Sequence, residues 1–283
     1  MRKKIIVILG QTATGKSDLA VKVALKIKGE IISADSRQVY KNLDIGTGKI
    51  SKKEMRGVLH HLLDVANPKK RFTVVEYKKL AEEKIEEILS RDNIPIICGG
   101  TGFYIDAVTK GIVFPEVPPN LKLRKTLENK TTPELFNLLK KLDKVRAKNI
   151  DSRNKVRLIR AIEIAKALGK VPSLISKKSP YQFIKIGLSL PKDELKEKIE
   201  NRVESMFKAG LLNEIKKLKK KGISSKRLKE FGFEYFEPTK EKVINGTIQY
   251  AKRQMTWFNR DKQIKWFTPN EYLKIEKYLK TKL

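Results

Sequence analysis

The chain has 283 residues, 40% of them hydrophobic, and carries 63 Lys and Arg against 32 Asp and Glu, a formal charge of +31. That length buries a real core as one large or two modest domains, and no apolar run approaches the roughly 18 residues that a membrane span needs. A single cysteine, Cys98, excludes an intrachain disulfide and a cysteine-based zinc site.

A surface this basic repels itself, and releasing counterions from a bound polyanion is the usual compensation, so the charge points to nucleic acid. A lysine-rich source is the alternative, but that bias raises Lys and Glu together, and here the acids lag. The apolar stretch Ile5 to Leu9 is too short for a signal peptide and runs into a glycine turn, which predicts a strand and a cytoplasmic protein.

In chain order, residues 3–9 form an apolar strand ended by Gly10, and a helix starts near Lys16 with Leu19, Val23 and Ile27 on one face. Residues 30–34 predict a second strand that delivers Asp35. Residues 73–90 predict a helix with Tyr77, Leu80, Ala81, Ile85 and Leu89 inward, and Ile94 to Cys98 a third strand ended by Gly99-Gly100. Strands that are nearly all apolar and alternate with helices imply a parallel sheet covered on both faces, and ligands of such sheets gather at the carboxyl ends of the strands. After Pro115, Pro118 and Pro119 the texture turns helical and basic as far as Gly169. Residues 183–190 return to strand character. A long helix follows through Leu195, Ile199, Val203 and Phe207, with a break at Gly210.

Residues Gly10-Gln11-Thr12-Ala13-Thr14-Gly15-Lys16-Ser17 match G-x-x-x-x-G-K-[ST] in full, between a strand and a helix. Backbone N–H groups and the helix N-terminus suit phosphate; Lys16 supplies a cation, and the Ser17 hydroxyl is placed for Mg2+. The motif establishes binding of a diphosphate or triphosphate, not its fate. An NTPase or kinase normally ends a strand in a metal-holding Asp, whereas residues 94–98 end in Gly99-Gly100-Thr101-Gly102. The predicted fold class is therefore α/β: a P-loop NTPase-like parallel sheet with helices on both faces, residues 1–118 and 183–283, plus a mainly helical basic insertion at 119–182.

Asp35 ends an early strand on the rim that carries the phosphate loop. A carboxylate there can take a proton from a nucleophile, or it can cap the following turn. Thr101 either reaches the same rim or serves the turn. His60 and His61 are adjacent and lack the i,i+4 spacing of a metal pair. Arg153, Arg157 and Arg160 recur about one helical turn apart, suiting a phosphate backbone or a solvated face. Residues 250–260 interleave Lys252, Arg253 and Arg260 with Tyr250, Trp257 and Phe258, a base-gripping pattern or a helix with its aromatics in the core.

Five stretches together resemble the tRNA dimethylallyltransferases, also called tRNA isopentenyltransferases. They are Gly10 to Ser17; Ser33-Ala34-Asp35-Ser36-Arg37-Gln38-Val39-Tyr40 with Asp44-Ile45-Gly46-Thr47; His61-Leu62-Leu63-Asp64; Gly99-Gly100-Thr101-Gly102-Phe103-Tyr104; and Ala251-Lys252-Arg253-Gln254 with Trp257. The resemblance implies transfer of a dimethylallyl group from dimethylallyl diphosphate to N6 of adenosine 37 of a tRNA, releasing pyrophosphate. It implies that the loop holds a prenyl diphosphate with Mg2+ at Ser17, that Asp35 is the general base, and that Thr101 and Arg202 belong to the catalytic set, Arg202 meeting pyrophosphate or RNA. It places the anticodon stem-loop against Asp35, Ser36, Arg37, Gln38, Thr101, Lys122, the run Val156-Arg157-Leu158-Ile159-Arg160, and Arg253. A cytoplasmic monomer of bacterial type is expected. One departure is Gly232-Phe233-Glu234, with an acid where the family usually has a base. A P-loop small-molecule or nucleoside kinase is the alternative; a non-catalytic RNA-binding protein is a second.

Overall fold

The computed structural model describes residues 2–173 and 175–283. Its strands are β1 (Lys4–Gly10), β2 (Gly29–Ser33), β3 (His60–His61), β4 (Ile94–Gly99), β5 (Ile112–Val113), β6 (Ile175–Ser176), β7 (Gln182–Leu188) and β8 (Lys265–Phe267). Six of them make one sheet in the order β3-β2-β4-β1-β7-β8, every pair parallel.

Side chains of a strand alternate between faces, and β1 shows what that dictates. Ile5, Val7 and Leu9 pack into one buried cluster with the helix Val74–Ser90, while Ile6 and Ile8 pack into another with the helix Lys16–Ile27. Both faces are therefore covered, as the unbroken apolar strands require. Local chemistry starts the elements: Thr73 and Glu76 form a reciprocal capping box at the head of Val74–Ser90. The short edge strands β3 and β8 carry too little pattern to be read from sequence.

The chain divides into two compact units, Met1–Gly111 with Lys178–Leu283, and Ile112–Lys177. The second begins earlier and ends sooner than the expected 119–182, because β5 and β6 pair antiparallel and close it. The three prolines thus lie inside that unit. Its helices Leu121–Glu128, Thr132–Leu142, Lys144–Lys148 and Lys155–Leu168 enclose a core of Leu127, Leu135, Leu139, Leu158, Ile159 and Ile162. Glu163 anchors them: it is 2% exposed and accepts from Arg124 at 2.7 and 2.9 Å, from Arg160 and from the Asn120 N–H.

Candidate active site

The carboxyl ends of β1, β2 and β4 converge on a cleft of about 930 Å³ within the first unit, and Thr12, Lys16, Ser17, Asp35, Arg37 and Arg202 all line it. β1 ends at Gly10, whose φ of +136° and approach to β7, with a Cβ at 2.1 Å from the Leu188 carbonyl oxygen, admit no side chain. The loop then curls on itself: Lys16 Nζ and Thr14 Oγ1 both donate to the Gln11 carbonyl, the latter at 2.8 Å. Burial lowers the Lys16 pKa to about 8, helped by Arg202 and opposed by Cys98 and Asp35. Ser17 is exposed on the cleft wall.

Asp35 sits in the turn after β2. Its Oδ1 accepts from the N–H groups of Arg37 at 2.8 Å and Gln38 at 3.2 Å, and no described residue donates to Oδ2. Oδ1 thus caps the turn, and Asp35 also lines the cleft, so both sequence alternatives meet in one side chain. Thr101 supports that turn from β4. Its Oγ1 accepts the Ser36 N–H at 3.0 Å and donates to Ser36 Oγ at 3.3 Å. Thr101 therefore braces the acidic turn that carries Asp35.

Arg202, on the helix Lys192–Lys208, donates to the Thr47 carbonyl at 3.2 Å. Gly48, at φ +55°, is the reason it fits: a Cβ there would lie 2.1 Å from the guanidinium. Burial lowers the Arg202 pKa, with Asp35 and Glu234 opposing, and guanidinium stays charged throughout. Gln38 holds the same loop, donating to Thr47 and Gly48 carbonyls at 3.3 Å each. That loop is fixed from outside by Glu214, which accepts the N–H groups of Asp44, Ile45 and Gly46 and the Tyr235 hydroxyl.

Several expected tRNA contacts stand elsewhere. Val156, Arg157 and Lys122 are exposed on the second unit. Leu158 and Ile159, at 0% and 8% exposure, have their side chains in its core. Arg160 is taken up by Glu163 and by the Val117 carbonyl, at 2.9 Å for the latter. Arg253 is exposed, its guanidinium 5.8 Å from the Tyr250 ring. Of the nearby aromatics, Phe258 is core and Trp257 donates to Asp106 at 3.1 Å, the packed reading of that stretch.

Sequence reasoning placed none of Gln254, Glu234 and Tyr250 at the phosphate-loop cleft, which all three line. Gln254 accepts the Thr12 N–H at 2.8 Å and donates to the Gly100 carbonyl at 2.9 Å, stapling the phosphate loop to the end of β4. A signal existed: Gln254 falls on the buried stripe Thr247, Ala251, Gln254, Phe258 of its helix, where an unpartnered amide costs stability.

A parallel α/β sheet with a Gly-x-x-x-x-Gly-Lys-Ser loop and an acidic turn opening on one cleft defines a P-loop protein built to hold a phosphate ester beside a carboxylate. The family model "IPP transferase" matches residues 38–261. A tRNA dimethylallyltransferase of Halothermothrix orenii is 38% identical over 98% of this chain and 91% of its own, and that of Lachnoclostridium phytofermentans 39% identical over 95% and 92%. The chain belongs to the IPP transferase family. The full-length tRNA isopentenylpyrophosphate transferase of Bacillus halodurans superposes with a TM-score of 0.74 at 32% identity, covering 100% of this chain and 97% of that one. A eukaryotic dimethylallyltransferase acting on tRNA gives 0.77 at 26% identity, over 94% and 74%.

Proposed function

We propose that the chain transfers a dimethylallyl group from dimethylallyl diphosphate to N6 of adenosine 37 in tRNA, releasing pyrophosphate. The observation that carries the reading is the single cleft lined by Lys16, Ser17, Arg202 and Asp35, in a chain whose relatives are tRNA dimethylallyltransferases. The loop N–H groups, Lys16 and Arg202 receive the diphosphate. As the bond from N6 to the prenyl carbon forms, the bond from that carbon to the diphosphate oxygen breaks, and pyrophosphate leaves into the cationic cradle. Asp35 accepts the N6 proton on Oδ2, its other oxygen being held by the turn. The adenine must leave its stack to arrive there, as base-modifying enzymes generally require.

Among the described residues there is no cluster of three or more metal-ligating side chains. The Ser17 hydroxyl on the cleft wall fits Mg2+, which commonly binds through substrate phosphates and few protein ligands. When bound, Mg2+ neutralises diphosphate charge. Exposed Arg157, Lys122, Val156 and Arg253, with Ser36 and Gln38, supply the RNA contacts. No helix among the described residues is long and apolar enough to cross a membrane. The kinase alternative is not favoured, since the matched relatives act on tRNA.

Incubation with unmodified tRNA, dimethylallyl diphosphate and Mg2+, followed by nucleoside mass analysis, tests the reading. A prenyl-sized gain on adenosine is expected; its absence with folded protein and a suitable tRNA defeats it.

A further inference from the structure

Arg37 stands in the expected RNA-binding set, yet its guanidinium is already paired within the protein and its side chain is only 20% exposed. It lies 5.5 Å from the centre of the Phe233 ring and 5.3 Å from that of Tyr250. Its NH1 donates to Glu234 Oε2, and Glu234 is only 7% exposed. The turn that carries Glu234 closes down on the pair: a Cβ at Gly232 would lie 2.9 Å from both Arg37 NH1 and Glu234 Oε2. Arg37 and Glu234 line the cleft together with Asp35. A guanidinium beside two aromatic rings and paired to a buried carboxylate must break a desolvated ion pair to reach a phosphate, and breaking such a pair is strongly unfavourable.

The main chain of Arg37 has a second task, since its N–H donates to Asp35 Oδ1 at 2.8 Å. Whatever pins the Arg37 side chain therefore pins the residue that aims the carboxylate. We infer that Glu234 is a positioning residue: it locks Arg37 into the cleft wall, steadies the Asp35 turn through it, and withdraws Arg37 from the side chains that grip the RNA backbone. This rests on the prenyl-transfer reading for its effect on rate, though not for its effect on RNA binding.

The test compares wild type, Arg37→Ala, Glu234→Ala and Glu234→Gln by three measurements: thermal melting, the salt dependence of tRNA binding, and steady-state prenyl transfer. A side chain that meets a phosphate contributes about one unit to the slope of log affinity against log salt. Arg37→Ala is expected to leave that slope at the wild-type value. Glu234→Ala is expected to lower kcat about tenfold or more, with the KM for tRNA and for dimethylallyl diphosphate nearly unchanged. Glu234→Gln keeps an acceptor oxygen for Arg37 and should recover part of the lost kcat, which also covers the case in which the alanine variant fails to fold. A slope reduced by one unit in Arg37→Ala, or wild-type kcat in both Glu234 variants, overturns the inference. If wild type itself transfers no prenyl group, the proposed function fails, and the slopes of wild type and Arg37→Ala still decide where Arg37 acts.

Discussion

Replacing Asp35 by Asn separates the two oxygens of one carboxylate. Oδ1 holds the turn through the N–H groups of Arg37 and Gln38, and the amide oxygen of Asn accepts the same bonds. The fold should therefore lose about 1 kcal/mol or less. Asp35→Ala, which removes both turn bonds, should cost about 0.5–2 kcal/mol. Catalysis responds differently. Oδ2, which no described residue donates to, becomes an amide nitrogen that cannot accept a proton. Losing a positioned base commonly costs about 10²–10⁴ in rate, or roughly 3–5 kcal/mol of barrier. The cleft meanwhile loses a negative charge beside Lys16 and Arg202, so the diphosphate should bind as well as before or more tightly. Single-turnover transfer to unmodified tRNA, with the KM for dimethylallyl diphosphate and a melting curve measured alongside, reads all three quantities. An Asp35→Asn enzyme that transfers at the wild-type rate refutes the assignment of the base. One that loses activity only together with its fold or its diphosphate affinity refutes the division of labour between the oxygens.

Three further outcomes follow from the same geometry. Gln254→Ala leaves the Thr12 N–H without its partner and removes the shorter of two bonds to the Gly100 carbonyl; it should cost about 1–3 kcal/mol in a melting or denaturant experiment and raise the KM for the diphosphate. Lys16, with its pKa lowered to about 8, is a cation only below that pH; kcat/KM for dimethylallyl diphosphate should fall as pH rises through 8, and a flat profile to pH 10.5 counts against Lys16 as the phosphate cation. Arg157→Ala, on an exposed side chain, should lower the salt slope of tRNA binding by about one. Arg160→Ala should leave that slope alone and instead destabilise the second unit, because it takes one partner from buried Glu163; hydrogen exchange in the helix Lys155–Leu168 reads the difference.

How far the sequence reached depended on how local each cause was. The strand–loop–helix at residues 4–27 is legible because one short run carries its own hydrophobic pattern, glycines and lysine, and β2, β4 and β7 follow for the same reason. The edge strands β3, of two residues, and β8, of three, are set by pairing to a neighbour that already exists. The boundary of the second unit depends on Ile112–Val113 meeting Ile175–Ser176, a long-range pairing that the nearby prolines concealed. In the site, Asp35 and Lys16 are legible as motif members. Thr101 is legible as a motif member too, but its behaviour as a brace for Ser36 comes from a contact sixty-five residues away in sequence.

Charge is where reading by composition and reading by structure diverge most. An excess of +31 says that polyanions are attracted, but it does not say which cations do the attracting. Folding settles that by placing the scarce acids. Glu234 takes Arg37, Glu163 takes Arg124 and Arg160, Asp261 takes Lys185, and Asp44 and Asp64 share Lys49. Three of these cations, Lys49, Lys185 and Arg37, have side chains 20% exposed or less, so their charge is spent within the protein. A row of arginines at helical spacing therefore divides by what lies beneath each position: Arg157 is exposed, whereas Arg160 stands over a buried carboxylate that needs it. The salt dependence of RNA binding should accordingly be carried by the first kind of cation and be nearly blind to the second.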